Sequence, residues 1–327
     1  VQDGEKGACE KEQDHLQGEE DLSCYDEFFT VQTNRQLLSG AVCLFPCEIF
    51  SRDWKSEALF LILLEIMRPA NCAMAGAASL TGMIASGAIP QSLRIPALVF
   101  FAVFLITGGG NAINDYFDRE IDAVNRPERP IPSGRISPSA ALMWSVTLFV
   151  AGCIISGMIN QSCLALAVLN SSVLIIYAAR LKGLPAAGNI AVSYLTGTTF
   201  LFGGLAAMPS SITAYLSILS ALATLSREIV KDIEDLPGDL AHGAKTLPAF
   251  IGERKSFITA SLALIVAVML SYLVPLGIEY LVAVSTANIA FLVSMNRMLR
   301  GDASGSQRWI KMGMALALTA FLLGSLL

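Results

Sequence analysis

From about residue 56 onward, long apolar runs alternate with short polar or Gly/Pro-bearing breaks. A helix that crosses a bilayer needs about 20 mostly apolar residues. Nine runs meet that length: Ala58–Ser86, Ile95–Ile113, Ser139–Ile159, Ser162–Ala179, Gly188–Met208, Ile212–Ile229, Ser256–Leu276, Tyr280–Met298 and Trp309–Leu327. The pattern predicts an all-α polytopic membrane protein, a bundle of nine transmembrane helices over residues 56–327. Gly, Ala and Ser recur within the runs, and small residues let membrane helices approach closely. Residues 1–55 break the pattern. They form an acidic, polar N-terminal tail, expected to be disordered or weakly ordered because it has too few apolar clusters to bury a core.

Composition agrees with the run lengths. Apolar residues make up 54% of the 327 positions and charged residues 15%, and the mean hydropathy is +0.59; soluble domains hold about 25% charged residues. The net charge of −5 is uneven: residues 1–55 hold twelve acids and five bases, so the remainder is slightly basic. A nucleic-acid partner is not expected, and no protein partner is predicted. Seven cysteines show no disulfide framework. Cys72, Cys153 and Cys163 fall in apolar runs, and Cys9, Cys24, Cys43 and Cys47 match no familiar zinc spacing. The acidic start lacks the basic-then-apolar form of a cleavable signal peptide.

Basic residues predict the orientation. Arg119, Arg126, Arg129 and Arg135 follow the second run, and Arg180 and Lys182 the fourth. Arg227, Lys231, Lys245, Arg254 and Lys255 link the sixth and seventh, and Arg297, Arg300, Arg308 and Lys311 link the eighth and ninth. The opposite side carries only Arg94. The positive-inside rule makes the rich side cytoplasmic. A multi-pass cell-membrane protein follows, with the N-terminus and active-site opening cytoplasmic and the C-terminus extracytoplasmic.

Candidate chemistry gathers on that side. The second run ends in Asn111-Ala-Ile-Asn114-Asp115-Tyr-Phe-Asp118-Arg-Glu-Ile-Asp122, and the sixth in Arg227-Glu-Ile-Val-Lys231-Asp232-Ile-Glu-Asp235-Leu-Pro-Gly-Asp239. Both aspartate triplets have the spacing i, i+3, i+7, which stacks carboxylates on one helical face. Pro237 and Gly238 are expected to end the second helix and leave Asp239 on a loop. Stacked carboxylates near a bilayer are costly, and a divalent cation among them removes the conflict. Oxygen-only donors select magnesium before zinc, and magnesium completes its shell with substrate phosphates. Two facing clusters would clamp a diphosphate between two Mg2+ ions. The bland alternative is a pair of solvated helix ends.

Other polar residues join the candidate list. Arg68, in Met67-Arg68-Pro69, lies inside the first run and needs a partner there, either Glu65 or a substrate phosphate. Tyr177, Lys182 and Asn189 flank the fourth-to-fifth connection, where Lys182 reads equally as a membrane anchor. The basic loop Asn125 to Arg135 is stiffened by three prolines, and its arginines suit a diphosphate leaving group. With His15 and His242 the only histidines, histidine chemistry has little material.

At these residues the sequence resembles the UbiA-type intramembrane prenyltransferases. Their motif Asn-Asp-x-x-Asp-x-x-x-Asp is met by Asn114, Asp115, Asp118 and Asp122, and their second acidic motif by Asp232, Asp235 and Asp239. The resemblance runs from about Ala58 to Leu327. Met67 to Asn71, Asn111 to Ser137, Lys182 to Gly197 and Arg227 to Pro248 look most like the archaeal digeranylgeranylglyceryl phosphate synthase branch. The resemblance implies magnesium-dependent transfer of a geranylgeranyl group from its diphosphate to geranylgeranylglyceryl phosphate. Asn114 and the six motif aspartates would hold the ions. Arg68, Asn111, Asn114, Arg135, Tyr177, Lys182, Asn189, Arg227 and Lys231 would hold substrate. The partners implied are a prenyl diphosphate donor, a lipid-precursor acceptor and membrane lipids. An aromatic-acceptor prenyltransferase is the alternative within the class. A cation-coupled transporter would place its carboxylates near the midplane on broken helices, and a CDP-alcohol phosphotransferase would need motif elements absent here.

Overall fold

A computed structural model describes residues 59–87, 92–241 and 246–326; the tail at 1–55 lies outside them. Within Lys55–Leu327, a compact unit, all regular structure among the described residues is helical. In chain order the helices are α1 (Leu59–Met67), α2 (Pro69–Ala85), α3 (Arg94–Asn125), α4 (Pro138–Ile159), α5 (Gln161–Ala179), α6 (Ala187–Ala207), α7 (Ser211–Ala241), α8 (Leu247–Ile251), α9 (Glu253–Ser271), α10 (Ile278–Leu299) and α11 (Ala303–Leu326), with a 3-10 turn at Leu181–Gly183. Among the described residues, α3, α4, α5, α6, α9, α10 and α11 are long and apolar enough to cross a membrane. The bent pair α1–α2 makes an eighth if it counts as one span.

Three expectations change. The first run is not one continuous helix: α1 and α2 meet at a 51° bend with Arg68 between them in the left-handed region, φ 55° and ψ 71°. Pro69 explains the break, because its ring disfavours helical geometry at the residue before it. The carbonyl of Met67, freed from the helical ladder, accepts instead from Asn111 Nδ2 at 2.7 Å and Cys72 Sγ at 3.0 Å. The seventh run also stops early, at Ser271, where Pro275 offers no N–H to the carbonyl four residues back and its ring clashes with it. In α7, by contrast, Pro237 does not end the helix, which continues to Ala241; near a terminus the carbonyl freed by proline is the only ladder bond lost.

The sixth run is helical as expected, yet α7 is not among the helices apolar enough to span on their own. Thr213, Ser217, Ser220, Thr224 and Ser226 interrupt its apolar pattern, and Thr213, Thr224 and Ser226 are buried within the bundle. α7 packs against α6, α9 and α11, while α2 packs against α3 and α6, and α10 against α11. Close approach is enforced at α2–α6, where a Cβ on Gly203 would stand 1.8 Å from the Ser79 carbonyl oxygen. Outward faces of α4, α5, α9 and α10 stay apolar, with Val150, Ile154, Val168, Leu262, Met269 and Ile289 all exposed, as a lipid-facing surface requires.

Candidate active site

α3 has 32 residues and, at 1.5 Å per residue, is about 48 Å long. Its apolar part fills the first two-thirds, and the remainder carries the first aspartate motif as helix. Asp115, Asp118 and Asp122 are 5%, 7% and 7% exposed. Three buried like charges on one face require compensation, and three separate segments supply it.

Arg68, turned inward at the α1–α2 break, donates to Asp115 Oδ1 at 2.5 Å. Arg129 donates to the same oxygen at 3.3 Å and to Asp122 Oδ2 at 2.5 Å. Lys182, in the turn between α5 and α6, donates to Asp118 Oδ2 at 2.5 Å. All are charge-assisted bonds. Arg68 thus takes the aspartate rather than the alternative partner, Glu65.

Glu65 instead holds Arg135, through two parallel bonds of 2.7 and 2.8 Å. That partner raises the Arg135 guanidinium pKa above its already high ordinary value. Arg135 also donates to the Glu128 carbonyl at 2.7 Å, so it ties the loop to α1 and does not reach the aspartates. Arg129, in the same loop, does. Of the two loop arginines it is thus Arg129, and not the expected Arg135, that reaches the motif. The loop turns after Asn125 through backbone bonds from Arg129 N to the Arg126 carbonyl at 3.1 Å and from Ser133 N to the Arg129 carbonyl at 3.0 Å, which no spacing in the sequence distinguishes.

The second motif is engaged differently. Asp232 Oδ2 accepts from Asn189 Nδ2 at 2.8 Å. Asp235 is exposed, and the Asp239 side chain lies outside the described residues. Glu234 turns away toward α11, accepting from Ser304 Oγ and Gln307 Nε2, each at 2.5 Å. Arg227 pairs with its neighbour Glu228, and Lys231 is exposed. Tyr177, at the end of α5, stands within electrostatic reach of Glu228, Asp118 and Asp232. The α5–α6 connection and the first turn of α6 therefore join the two motifs, with Lys182 of the connection on one and Asn189 of α6 on the other.

Beside the motifs a cavity of about 370 Å³ is bounded by Asn111, Asn114, Asn170, Leu174, Tyr177 and Phe202, among others. Its polar end meets the first motif and its walls are apolar. Among the described residues, no three His, Cys, Asp or Glu side chains form a ready-made metal cage. The residues nevertheless suit a hard cation. Asn114 Oδ1 is buried with no hydrogen-bond partner, every donor present is an oxygen, and magnesium needs only one or two carboxylates when phosphate oxygens complete its shell.

Residues 75–320 match the family model described as the UbiA prenyltransferase family. The chain belongs to that family. Among curated relatives, the digeranylgeranylglyceryl phosphate synthase of Methanothrix thermoacetophila is 83% identical over 264 residues, covering 81% of this chain and 99% of the relative. The enzyme of the same name from Methanosarcina mazei is 44% identical over 280 residues, covering 80% and 97%. Among solved structures, a digeranylgeranylglyceryl phosphate synthase superposes with a TM-score of 0.77 at 37% identity, covering 82% of this chain and 99% of that one. A UbiA homologue from Archaeoglobus fulgidus bound to GPP and Mg2+ shares the fold, with a TM-score of 0.61 at 18% identity and coverage of 78% and 99%. This UbiA-family chain is accordingly a multi-pass membrane prenyltransferase.

Proposed function

We propose that this UbiA-family chain transfers a geranylgeranyl group from geranylgeranyl diphosphate to the free hydroxyl of geranylgeranylglyceryl phosphate, releasing diphosphate and forming the second ether bond of archaeal membrane lipids. The observation that carries the reading is 83% identity to a digeranylgeranylglyceryl phosphate synthase across 99% of that relative's length. In this reading α1–α2 and α7 also cross the bilayer, for nine crossings, with the motif end of the bundle on the cytoplasmic side.

Asn114, Asp115, Asp118 and Asp122 hold one magnesium ion, and Asp232, Asp235 and Asp239 a second. Magnesium bound there supplies positive charge for the diphosphate that departs when the allylic C–O bond breaks. Arg68, Arg129 and Lys182 stand on the same carboxylates and present donors to phosphate oxygens; the planar guanidinium fork suits them bidentately. Asn189 and Tyr177 orient groups between the motifs. Arg227 and Lys231 add charge near the second one. The cavity beside Asn111 and Asn114 takes the prenyl chain and excludes water, which would otherwise capture the allylic cation.

The deciding experiment supplies geranylgeranyl diphosphate with geranylgeranylglyceryl phosphate, 4-hydroxybenzoate or homogentisate in parallel, and identifies products by mass spectrometry. Digeranylgeranylglyceryl phosphate as the dominant product is expected. Preferred prenylation of an aromatic ring would replace this assignment with an aromatic-acceptor enzyme.

A further inference from the structure

We infer that Arg129 makes the divalent ion and the diphosphate bind as a pair rather than independently, by occupying Asp115 and Asp122 until phosphate oxygens are present to receive it. This rests on the diphosphate-site reading above. Every carboxylate of the first motif already has a cationic partner: Arg68 and Arg129 on Asp115, Arg129 on Asp122, and Lys182 on Asp118.

A cation arriving alone must displace one of these partners. The displaced groups differ in what displacement costs. Lys182 is 47% exposed and swings readily into water, whereas the Arg129 side chain is only 17% exposed. Separating a buried pair leaves an uncompensated charge in a poorly solvated place. Arg129 also serves two aspartates at once, so moving it leaves Asp122 without a cationic partner and Asp115 with Arg68 alone. Its loop is tied down by Arg135 on Glu65, which keeps the displaced guanidinium beside the site. Diphosphate oxygens arriving with the ion give that guanidinium a bidentate partner and remove the penalty. Binding of the two ligands is therefore coupled, and by linkage each raises the other's affinity by the same factor.

The direction of the variant effect separates this role from simple structural support. Removing Arg129's charge should let the ion bind better on its own and should weaken the coupling. A residue that only held the loop together would, when lost, weaken ion binding in every arm.

The test is equilibrium dialysis of the purified full-length chain in detergent against Mn2+, with and without inorganic diphosphate. Wild-type protein is expected to gain on the order of tenfold in apparent manganese affinity when diphosphate is present. Arg129→Gln is expected to bind manganese alone more tightly than wild type and to lose part of the diphosphate dependence, the remainder coming from phosphate oxygens that complete the ion's shell. Arg129→Lys, which keeps the charge, should retain the coupling, and thermal melting confirms that each variant is folded. An Arg129→Gln protein with unchanged coupling overturns the inference while leaving the site reading intact, whereas equal manganese affinity in wild type with and without diphosphate overturns both. Manganese retained in no arm overturns both.

Discussion

Glu65 and Arg135, seventy positions apart, are joined by two parallel hydrogen bonds of 2.7 and 2.8 Å. The pair fastens the loop after α3 to α1, and Arg129 in that loop reaches the buried aspartates. Both partners are partly exposed, at 47% and 40%, so the pair adds little to global stability. Its weight is in positioning. Glu65→Gln and Arg135→Gln should each lower kcat/KM by roughly two- to fivefold, the range of an exposed ion pair, and the double variant should be no worse than either single. An Arg135 that contacts substrate phosphate directly would make Arg135→Gln severe and Glu65→Gln nearly silent; the kinetic double-mutant cycle distinguishes the two.

Asp115→Asn and Asp118→Asn keep the side-chain shape and remove the charge that a divalent ion needs. Each should lower turnover by roughly 100-fold or more, the scale seen when a preorganised transition-state contact is lost. Excess chelator should abolish wild-type activity, and added Mg2+ should restore it. Full turnover in chelator would remove the metal from the reaction.

Thr196 lines the cavity beside the motifs and also a second, largely apolar one of about 220 Å³ bounded by Phe200, Leu216, Phe291 and Phe321. Filling this position with Thr196→Phe should shift donor preference toward shorter chains. A change of roughly tenfold in the ratio of kcat/KM for farnesyl over geranylgeranyl diphosphate is expected, since each displaced methylene matters by about 1–3 kcal/mol. An unchanged ratio in folded protein would place the prenyl chain elsewhere.

At Gly203 an added methyl would collide with backbone, 1.8 Å from the Ser79 carbonyl oxygen and 2.7 Å from the Met83 nitrogen. Neither atom can rotate away. Gly203→Ala should therefore destabilise by about 1–3 kcal/mol, visible as a lower melting temperature in detergent. Gly301→Ala is the informative contrast: its Cβ would meet nothing within 4 Å, and its strain is confined to a positive φ of 73° in a surface turn.

The Methanothrix relative is matched over 99% of its own length by 81% of this chain, and residues 1–55, with twelve acids and few apolar clusters before Leu37, are expected to add no core of their own. A chain begun near Ser51 should insert and retain its specific activity within about twofold, the scatter of a surface change of no more than ~0.5 kcal/mol. A larger loss in folded, truncated enzyme would give the tail a catalytic or docking part.

Run length and carboxylate spacing were enough to read an all-helical membrane protein and its two aspartate motifs, because both depend on local periodicity. A bilayer demands about 20 apolar residues wherever the helix packs, and i, i+3, i+7 shares a face in any helix. Asp115, Asp118 and Asp122 could be placed on one helical face without knowing any neighbour. The bend at Arg68 was also latent in the chain, since Pro69 dictates it.

The choice among like residues was decided only in three dimensions. Loop arginines at 129 and 135 are chemically the same; chain reversal after Asn125 brings one to Asp122 and the other to Glu65. Glu234 sits between two motif aspartates in sequence, yet helical rotation points it at Ser304 and Gln307. Lys182 and Asn189 gained their roles because α5 and α6 pack so that their connection meets one motif and the first turn of α6 the other. Partner choice across 43 to 73 residues depends on how helices pack, and packing is a property of all the side chains together rather than of any one segment.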